Sequence, residues 1–442
     1  MKNFIGNYRS YILIEGKYRM KDQLGVNQKM NFDSTLALLS EGYQFISNRM
    51  KKYHTDIFET RLLGKKAICL TGEDAARLVY NPELFERTNA VPKRIQKTLF
   101  GEQAIQTMDG AAHLHRKQLF LSILTPVEEE KIAKIMQSHW DSVAKVWEIT
   151  DEIVLFDEAN EVLCRTACEW AGVVLTEAEV KQRAKDFSSM VDSFGGVMTR
   201  YLKGKRARQR TEKWLTDLIH QVRCGNRLAK EATALHAIAS YKDLYGQPLS
   251  DQMAAIELIN LIRPIVAIST YITFSALALY NHPKWRSRLL TKNLSYIEMF
   301  LQEVRRFYPF GPFLGAKVKR DFTWKQTKFQ KGELVLLDVY GSNHDKKHWK
   351  KANRFCPENF ADRVNTSYAF IPQGGGDVAS SHRCPGEGVT MKLMKVSLDF
   401  LLNKIEYEVP KQDLRVSLVR IPTLPKSKFR ISEIKRKEEE KD

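Results

Sequence analysis

A glycine-rich segment near the carboxyl end of the chain places one cysteine where its thiolate could bind a metal. Residues 370–387 read FIPQGGGDVASSHRCPGE, and Cys384 directly follows His382 and Arg383. Positive charge and the start of a helix both favour the thiolate, which is the metal-binding form of cysteine. Glycines also let the backbone approach a flat ligand closely. The segment therefore suits axial ligation of haem iron by sulfur, although an ordinary loop cysteine stays open as the alternative.

An arginine and a proline stand inside a long apolar helical pattern, residues 249–280. The helix positions three and four residues from Arg263 hold Ile259, Asn260, Val266 and Ala267, so no acid on that face can pair with it. Burying an unpaired cation is costly, and Pro264 should distort the helix at the carbonyl of Asn260. Arg263 could therefore bind the carboxylate of an external ligand through a charge-assisted bidentate pair. A core arginine paired with an acid from another element is the alternative.

Glu303 and Arg306 form a third pattern, three residues apart on one face of a predicted helix. An exposed pair of this kind contributes only about 0.2–0.5 kcal/mol. Its position, upstream of residues 355–360 (FCPENF) and of the cysteine segment, makes it more specific than the pair alone.

A mainly α domain with a minor β part is expected to position these residues. Helices are predicted over residues 73–80, 113–124, 127–148, 158–174, 177–203, 208–224, 249–280 and 294–308. Strands are predicted over 66–71 and, in short pieces, between 311 and 340, with turns at Lys325-Gln326 and Lys331-Gly332. No linker rich in Pro, Gly or Ser divides the chain. We therefore expect one large domain, residues 29–434, between an N-terminal extension (1–28) and a charged, disordered tail (435–442).

The composition is that of an ordinary globular protein with a basic surface. Of the 442 residues, 43% are hydrophobic and 28% are charged, and the formal net charge is +18. The basic residues are scattered and no zinc-finger or RNA-binding signature accompanies them, so a solvated surface is favoured over a nucleic-acid site. No uninterrupted apolar run reaches the roughly 18 residues of a membrane span, and the N-terminus lacks the apolar core of a signal peptide. The six cysteines form no regular framework, which fits a reducing cytoplasm.

Taken together, these motifs resemble those of the cytochrome P-450 superfamily, and most closely those of the bacterial fatty-acid peroxygenases, a group that includes alkene-forming fatty-acid decarboxylases. The similarity covers residues from about 30 to 434 and is strongest in 92–94, 98–101, 263–264, 302–313, 338–341 and 371–387. The resemblance implies the P-450 fold, a single large domain that binds haem b, with Cys384 as the axial iron ligand. It also implies that Glu303 and Arg306 brace the core. Asn359 stands where Arg is usual, which weakens one expected structural ion pair.

The same resemblance implies hydrogen-peroxide-dependent hydroxylation of long-chain fatty acids at the α or β carbon. Arg263 and Pro264 occupy the place of the acid–alcohol pair with which ordinary members of the superfamily protonate bound oxygen. The carboxylate of the fatty acid, positioned by Arg263, would then act as the general acid and base. This reaction requires no electron-transfer partner.

Gln106 and Phe100 are expected on the substrate side of the haem. The alkene-forming decarboxylase has His where this chain has Gln106, and a glutamine cannot titrate near neutrality as a histidine does. As a catalytic and substrate-binding residue, Gln106 therefore favours hydroxylation. Phe100 would line the same pocket, with simple core packing as its alternative.

The haem propionates need cations, for which the resemblance suggests Arg87, His113 and Lys117. His113 and Lys117 are four residues apart and share a helical face. His382, beside the cysteine, is a further candidate, as is Arg383. A solvated basic face is the alternative for these positions.

Three other enzymatic or binding functions stay open at this point. A peroxide-dependent decarboxylase that forms terminal alkenes shares most of the features above. A monooxygenase fed by a redox partner is disfavoured by the missing acid–alcohol pair. A haem-thiolate sensor without enzymatic activity gives no reason for an arginine inside an apolar helix, and a basic lipid- or nucleic-acid-binding protein explains neither that arginine nor Cys384.

Overall fold

The structure is a computed structural model that describes residues 28–362 and 367–437. The N-terminal extension predicted for residues 1–28 lies outside the described residues, apart from Gln28, which begins the first strand. Residues 438–442 of the predicted tail also lie outside them. The last strand runs through Arg436, two residues beyond the predicted end of the domain at residue 434.

Helices make up most of the regular structure, which confirms the mainly α prediction. In chain order they are α1 (Thr35–Glu41), α2 (Phe45–Tyr53), α3 (Glu73–Val79), α4 (Lys93–Ile95), α5 (Gly110–Ile123), α6 (Pro126–Trp147), α7 (Leu155–Ala171), α8 (Glu177–Asp192), α9 (Thr199–Arg223), α10 (Ala234–Ser240), α11 (Asp251–Ala267), α12 (Ser269–Asn281), α13 (Pro283–Leu289), α14 (Leu294–Phe307), α15 (Val339–Asn343) and α16 (Glu387–Asp399). Short π-helical turns cover Gln96–Phe100 and Phe400–Lys404, and short 3-10 turns cover Gly42–Gln44, Ile105–Thr107 and Pro357–Phe360.

The minor β part consists of short strands. They are β1 (Gln28–Asp33), β2 (Ile57–Leu62), β3 (Lys65–Leu70), β4 (Phe85–Glu86), β5 (Glu152–Val154), β6 (Phe313–Val318), β7 (Phe322–Trp324), β8 (Thr327–Phe329), β9 (Leu334–Asp338), β10 (Ile405–Glu408) and β11 (Arg430–Arg436). The largest sheet has the order β1-β2-β3-β9-β6-β4, and β10-β11-β5 and β7-β8 form smaller ones. The predicted turn at Lys325-Gln326 is confirmed, because both residues have the positive φ that a tight hairpin between β7 and β8 requires.

A nearly continuous apolar run through α11 and α12 forms the centre of the molecule. Ser250 caps its start by accepting a hydrogen bond from the Met253 N–H at 3.1 Å. Over Asp251–Asn281 the run is long and apolar enough to cross a membrane, but 94% of its most apolar window is buried inside the protein. A helix that is apolar on all sides belongs in a core, and α7, α8 and α9 pack around this one.

The central run is interrupted four residues beyond Pro264, the position at which the sequence predicted a distortion. Pro264 is included in α11, and the break comes at Ile268. There the Ile268 N–H bonds to the carbonyl of Ile265, three residues back, which tightens the turn. Pro264 lacks a backbone N–H and so removes only one helical hydrogen bond, and the helix continues through it to Ala267.

The helix predicted over residues 177–203 is also wrong, because α8 and α9 are separate. The chain between them contains Gly195, where a β-carbon would come within 2.6 Å of the Ile421 carbonyl oxygen. Met198, just before α9, has a φ of 46°. A loop that is distant in sequence therefore approaches the backbone here and occupies the space that a continued helix would need.

Candidate active site

The glycine-rich segment folds back on itself and presents the Cys384 thiol at the start of α16. The Cys384 N–H donates to the Gln373 carbonyl at 2.9 Å. Gly374 has a φ of 97°, and a β-carbon there would lie 2.7 Å from the Tyr80 hydroxyl and 3.1 Å from the Cα of Arg383. A glycine is therefore required at this position by both the backbone conformation and the close packing.

A partly buried carboxylate ties the segment to the helix α14. Glu387, in the first turn of α16, forms ion pairs with Arg305 of α14 and with Arg383. Arg305 also donates to the side-chain oxygen of Gln373 at 2.8 Å. Burial opposes the charge of Glu387, but the two guanidinium groups outweigh it and lower the pKa of this carboxyl. The Arg383 guanidinium therefore binds groups within the segment itself, and we do not expect it to bind a propionate.

The helix α5 holds the segment from the other side through a lysine. The Lys117 ammonium donates to the carbonyl oxygens of Ser381 and Arg383, both at 2.5 Å. Burial lowers the pKa of Lys117 to about 8, although the nearby Cys384 opposes this change. Burial raises the pKa of the Cys384 thiol, and the charge of Glu387 adds to this rise, whereas hydrogen bonds from Gly386 and Gln373 and the charge of Lys117 favour the thiolate. Without a metal the sulfur is therefore a thiol, and several neighbouring groups are placed to favour its ionised form.

The Glu303–Arg306 pair lies fully buried and connects α14 to the chain that precedes the cysteine segment. The Arg306 guanidinium contacts the two carboxylate oxygens of Glu303 at 2.6 and 2.7 Å. It also donates to the carbonyls of Asn343, Ala352 and Arg354. Glu303 accepts the Cys356 N–H at 2.6 Å. These contacts fix irregular backbone in place, which is the bracing role that the resemblance implied.

The donor set around Cys384 suits haem rather than a bare metal ion. No group of three or more His, Cys, Asp or Glu side chains that could hold a metal occurs among residues 28–362 and 367–437. A metal bound by this thiolate would therefore have to bring its other ligands with it, as the iron of haem does.

Two histidines from separate parts of the chain stack beside the cysteine segment. The rings of His113 and His382 lie 3.9 Å apart, centroid to centroid, at an angle of 26°. Burial, followed by the charges of His382 and Lys117, lowers the pKa of His113 to about 3. In the protein without haem, His113 is therefore neutral at pH 7, and its ring can offer an N–H donor. Burial also lowers the pKa of His382, although Asp109, 3.4 Å from its Nε2, opposes the change.

Arg87 belongs to the same group of side chains. Its backbone N–H donates to Asp109 at 2.8 Å, and its guanidinium donates to the Gly315 carbonyl at 2.9 Å and lies over the Tyr80 ring. Burial lowers the pKa of this arginine as well. The structure thus brings together the predicted propionate-binding residues, which are Arg87, His113, Lys117 and His382.

Arg263, in α11, is a buried cation. The residue is only 7% exposed, and its Nη2 reaches Asn260 Oδ1 at 3.4 Å. Its Nε has no partner, and within the described part of the chain no carboxylate pairs with it. Burial, assisted by the charge of Arg208, lowers the pKa of Arg263 to about 9, and the charge of Cys384 opposes this fall. The arginine and the thiolate therefore act on each other electrostatically.

A glutamate that the sequence analysis did not single out anchors the surroundings of Arg263. Glu257 is fully buried and accepts hydrogen bonds from Arg116 at 2.9 Å and from the Ile105 N–H at 3.1 Å. It also accepts from Asn260 at 3.1 Å, and Asn260 in turn receives the bond from Arg263. Burial raises the pKa of Glu257, but Arg116 and the other donors oppose this. Its signal in the sequence was the spacing of polar residues at 257, 260 and 263 in an apolar helix.

Gln106 and Phe100 flank this network. Gln106 follows Ile105 directly, and its side-chain oxygen is buried without a partner among the described residues. The ring of Phe100 lies 5.8 Å from the Arg263 guanidinium, and the Phe100 carbonyl accepts from Asn260 at 3.0 Å. Phe100 is therefore tied to α11 close to the arginine, and the place of both residues on the substrate side of the haem stays a prediction. Pro264 adjoins the arginine in α11 and has no polar side chain of its own.

A protein-family model and a curated protein both match this chain. The family model described as Cytochrome P450 matches residues 282–430, which include α14 and the cysteine segment. Among curated proteins, the "Putative cytochrome P450 120" of Synechocystis sp. is 24% identical over 435 residues, which cover 90% of this chain and 93% of that protein.

Several solved structures are more similar. Cytochrome P450EX alpha with myristic acid is 41% identical, with a TM-score of 0.90 over 93% of this chain and 100% of that one. Cytochrome P450SP alpha in complex with (R)-ibuprophen is also 41% identical, with a TM-score of 0.90 over 92% and 99%. Ligand-free cytochrome P450 OleT is 36% identical, with a TM-score of 0.91 over 93% and 100%. The similarity therefore extends over nearly the whole chain.

Proposed function

Because the chain belongs to the cytochrome P-450 superfamily and, within it, to the fatty-acid peroxygenase group, we propose that it hydroxylates long-chain fatty acids at the α or β carbon with hydrogen peroxide. The observation that carries the proposal is the buried Arg263 guanidinium, which has no carboxylate partner within the described ranges. A fatty acid would supply that carboxylate. The relative whose structure contains myristic acid supports the same class of ligand.

Haem, when bound, supplies the iron at which peroxide is activated. Cys384 would hold the iron through its sulfur, and Gly386 and Gln373 favour the thiolate by hydrogen bonding. Arg87 and Lys117 would hold the propionates by charge, and His113 and His382 by their N–H groups.

Arg263 binds the carboxylate of the fatty acid and so determines where the chain of the substrate begins. Its planar guanidinium offers two parallel N–H donors to the two carboxylate oxygens. Binding at this end brings the first carbons of the substrate, α and β, to the reacting side of the pocket. The position of oxidation on the substrate therefore follows from the position of one arginine.

The bound carboxylate also acts as the general base and then the general acid towards hydrogen peroxide. Arg263 keeps the carboxylate ionised, so it can accept a proton from hydrogen peroxide and return it to the departing oxygen. The neighbouring side chains of Asn260 and Pro264 have no titratable proton for this purpose. The substrate thus performs the general acid–base step that a protein carboxyl would otherwise perform.

Gln106 favours hydroxylation over decarboxylation to a terminal alkene. Its amide can hydrogen-bond but does not gain or lose a proton near neutrality, unlike a histidine. Its buried, unpartnered oxygen can accept a hydrogen bond from a group that enters the pocket.

The proposal extends to location and partners. We place the protein in the cytoplasm, acting without an obligatory electron-transfer partner. The cysteines of the described residues are free, which supports a reducing compartment. Burial of the apolar α11–α12 run supports a core role for that run rather than a membrane span.

Product analysis tests the proposal. The haem-containing protein is incubated with a long-chain fatty acid and oxygen-18-labelled hydrogen peroxide, without reductase, and the products are analysed by mass spectrometry. We expect 2- or 3-hydroxy acids that carry the label. Absence of turnover, with turnover restored by an electron-transfer partner, would overturn the proposal. A majority of 1-alkene would replace hydroxylation by decarboxylation as the main reaction.

Two arginine variants show whether the carboxylate site is specific. Arg263→Met should lose fatty-acid turnover while haem stays bound, because the carboxylate loses its partner. Arg320→Met, at an exposed arginine, should retain turnover. Undiminished turnover in Arg263→Met would refute the role of this residue.

A further inference from the structure

A cysteine, a histidine and an aspartate line up on the surface, at the end of α9 and the start of α11. The Cys224 sulfur lies 3.6 Å from His220 Nε2, and His220 Nδ1 lies 3.0 Å from Asp251 Oδ2. Cys224 is exposed and free, and the His220 side chain is 65% exposed. A thiol, an imidazole and a carboxylate in this order form the arrangement that activates cysteine nucleophiles in enzymes.

Fixed contacts hold the aspartate at the far end of this row. Arg223 donates to Asp251 Oδ1 at 2.6 Å and is itself anchored on the carbonyls of Ala239 and Leu249. Burial opposes the charge of Asp251, but Arg223 and His220 outweigh it and lower the pKa of this carboxyl. An ionised Asp251 accepts the Nδ1 proton of His220. The Nε2 atom, which faces the sulfur, is then free to accept the thiol proton.

The other cysteines provide an internal comparison. Cys69, Cys164 and Cys168 are buried, and Cys384 belongs to the haem site. Cys356 is partly exposed, but its sulfur lies 3.4 Å from Glu358 Oε2. Burial and the neighbouring Glu358 raise the pKa of the Cys356 thiol. Of the two accessible thiols outside the haem site in the described ranges, one therefore faces an imidazole and the other a carboxylate.

We propose that Cys224 is a peroxide-reactive thiol that hydrogen peroxide oxidises to a sulfenic acid. His220 Nε2 takes the thiol proton, and the sulfur attacks one peroxide oxygen while the O–O bond breaks. The departing hydroxide receives the proton from the imidazolium and leaves as water. The balance is one thiol and one peroxide to one sulfenic acid and one water, with sulfur oxidised and peroxide reduced by two electrons. The reaction goes beyond haem-dependent hydroxylation and does not depend on it.

The expected rate advantage is about tenfold. A free cysteine is only a few per cent thiolate at pH 7, so complete ionisation would accelerate attack by roughly 30-fold at most. A more acidic thiolate is a weaker nucleophile, which reduces this advantage. The C-terminal end of α9 disfavours a negative charge on Cys224, so His220 has to provide the stabilisation.

Peptide mass spectrometry with a sulfenic-acid trap tests the proposal on the intact, haem-containing protein. Hydrogen peroxide and dimedone are added together, and adducts on Cys224 and Cys356 are followed with time. We expect the Cys224 adduct to form faster than that on Cys356. His220→Gln should slow the Cys224 adduct about tenfold, whereas His54→Gln, at an exposed histidine that ends α2, should not.

Alkylation by iodoacetamide at pH 7 separates thiolate reactivity from peroxide chemistry. The same order, with Cys224 ahead of Cys356 and slowed by His220→Gln, supports the imidazole-activated thiol. Equal rates for the two cysteines, or rates at Cys224 that His220→Gln leaves unchanged, would overturn the proposal. An unaltered haem absorption spectrum in each variant shows that the fold is retained.

Discussion

Replacing Arg263 by Met should make the protein without fatty acid more stable and, at the same time, unable to respond to fatty acid. Burial lowers the pKa of Arg263 from 12.5 to about 9. At about 1.36 kcal/mol per pKa unit, the folded protein disfavours the charged guanidinium by roughly 5 kcal/mol at pH 7. The variant also loses the 3.4 Å bond to Asn260 and the contact with Phe100, together worth about 1–2 kcal/mol.

The net gain in the free energy of unfolding should be about 2 kcal/mol, because screening inside real proteins reduces charge penalties. Urea unfolding followed by circular dichroism measures it. Fatty acid at a hundred times its Kd should stabilise the parent protein by about 2.7 kcal/mol and leave Arg263→Met unchanged. The response to ligand and the stability of the ligand-free protein should therefore move in opposite directions.

Arg208→Met is the matched control. Arg208 is also buried, but it pairs with Glu212 at 2.5 Å and donates to the Leu99 carbonyl at 2.9 Å. Burial lowers the pKa of Arg208 as well, but its loss leaves the part-buried Glu212 carboxylate and the buried Leu99 carbonyl without a donor. Removing Arg208 should therefore destabilise the protein by about 1–3 kcal/mol, which is the opposite sign. If Arg263→Met destabilised the protein as Arg208→Met does, Arg263 would be a paired structural residue and the carboxylate site would be refuted.

The effect of Arg263 on the free energy of unfolding should depend on pH in a direction that its pKa determines. The pKa of Arg263 in the folded protein lies below its value of 12.5 in the unfolded chain. The destabilisation is therefore complete below about pH 9 and declines gradually as the pH rises from about 9 towards 12.5, because over that range the folded state has released its proton and the unfolded chain has not. The difference in stability between the parent protein and Arg263→Met should be constant between pH 7 and pH 8 and should begin to shrink above about pH 9.

Three further substitutions address the neighbouring groups. Glu257→Gln leaves the Arg116 charge unpaired and should lower the free energy of unfolding by about 3 kcal/mol. It should also weaken the stabilisation by fatty acid that urea unfolding measures. No change in either quantity would exclude an anchoring role. Gln106→His adds a group that titrates near neutrality and should raise the ratio of 1-alkene to hydroxy acid, whereas an unchanged ratio would show that this position does not select the product. Cys384→Ser should abolish the thiolate-type absorption of the ferrous–CO complex, and its persistence would refute the ligand assignment.

The residues that depend on local pattern were the most predictable. Cys384 and Arg263 were visible because a cysteine in a glycine-rich segment and a cation in an apolar helix are both locally anomalous. The helices were visible because apolar periodicity is also local, and most of their bounds agree with the structure. The bracing role of Glu303 came from the family resemblance, since its spacing from Arg306 alone is common.

The features that depend on contacts distant in sequence could not be predicted. The division between α8 and α9 follows from the approach of Ile421 to Gly195, which no local pattern records. The neutrality of His113 follows from burial against His382, 269 positions further along the sequence. Glu387 looked like an ordinary residue at a helix start, and only the folded chain brings Arg305 to it.

The buried Glu257 has a consequence for how this chain can diverge. One carboxylate accepts hydrogen bonds from α5, from the 3-10 turn that contains Gln106 and from α11. Loss of the carboxylate alone leaves the Arg116 charge buried without a partner, and loss of Arg116 alone leaves the carboxylate charge unpaired. Positions 116, 257 and 260 should therefore covary among homologous sequences, with mixed combinations rare. A homologue with apolar residues at positions 116, 257 and 260 would need other contacts to hold Arg263 in position.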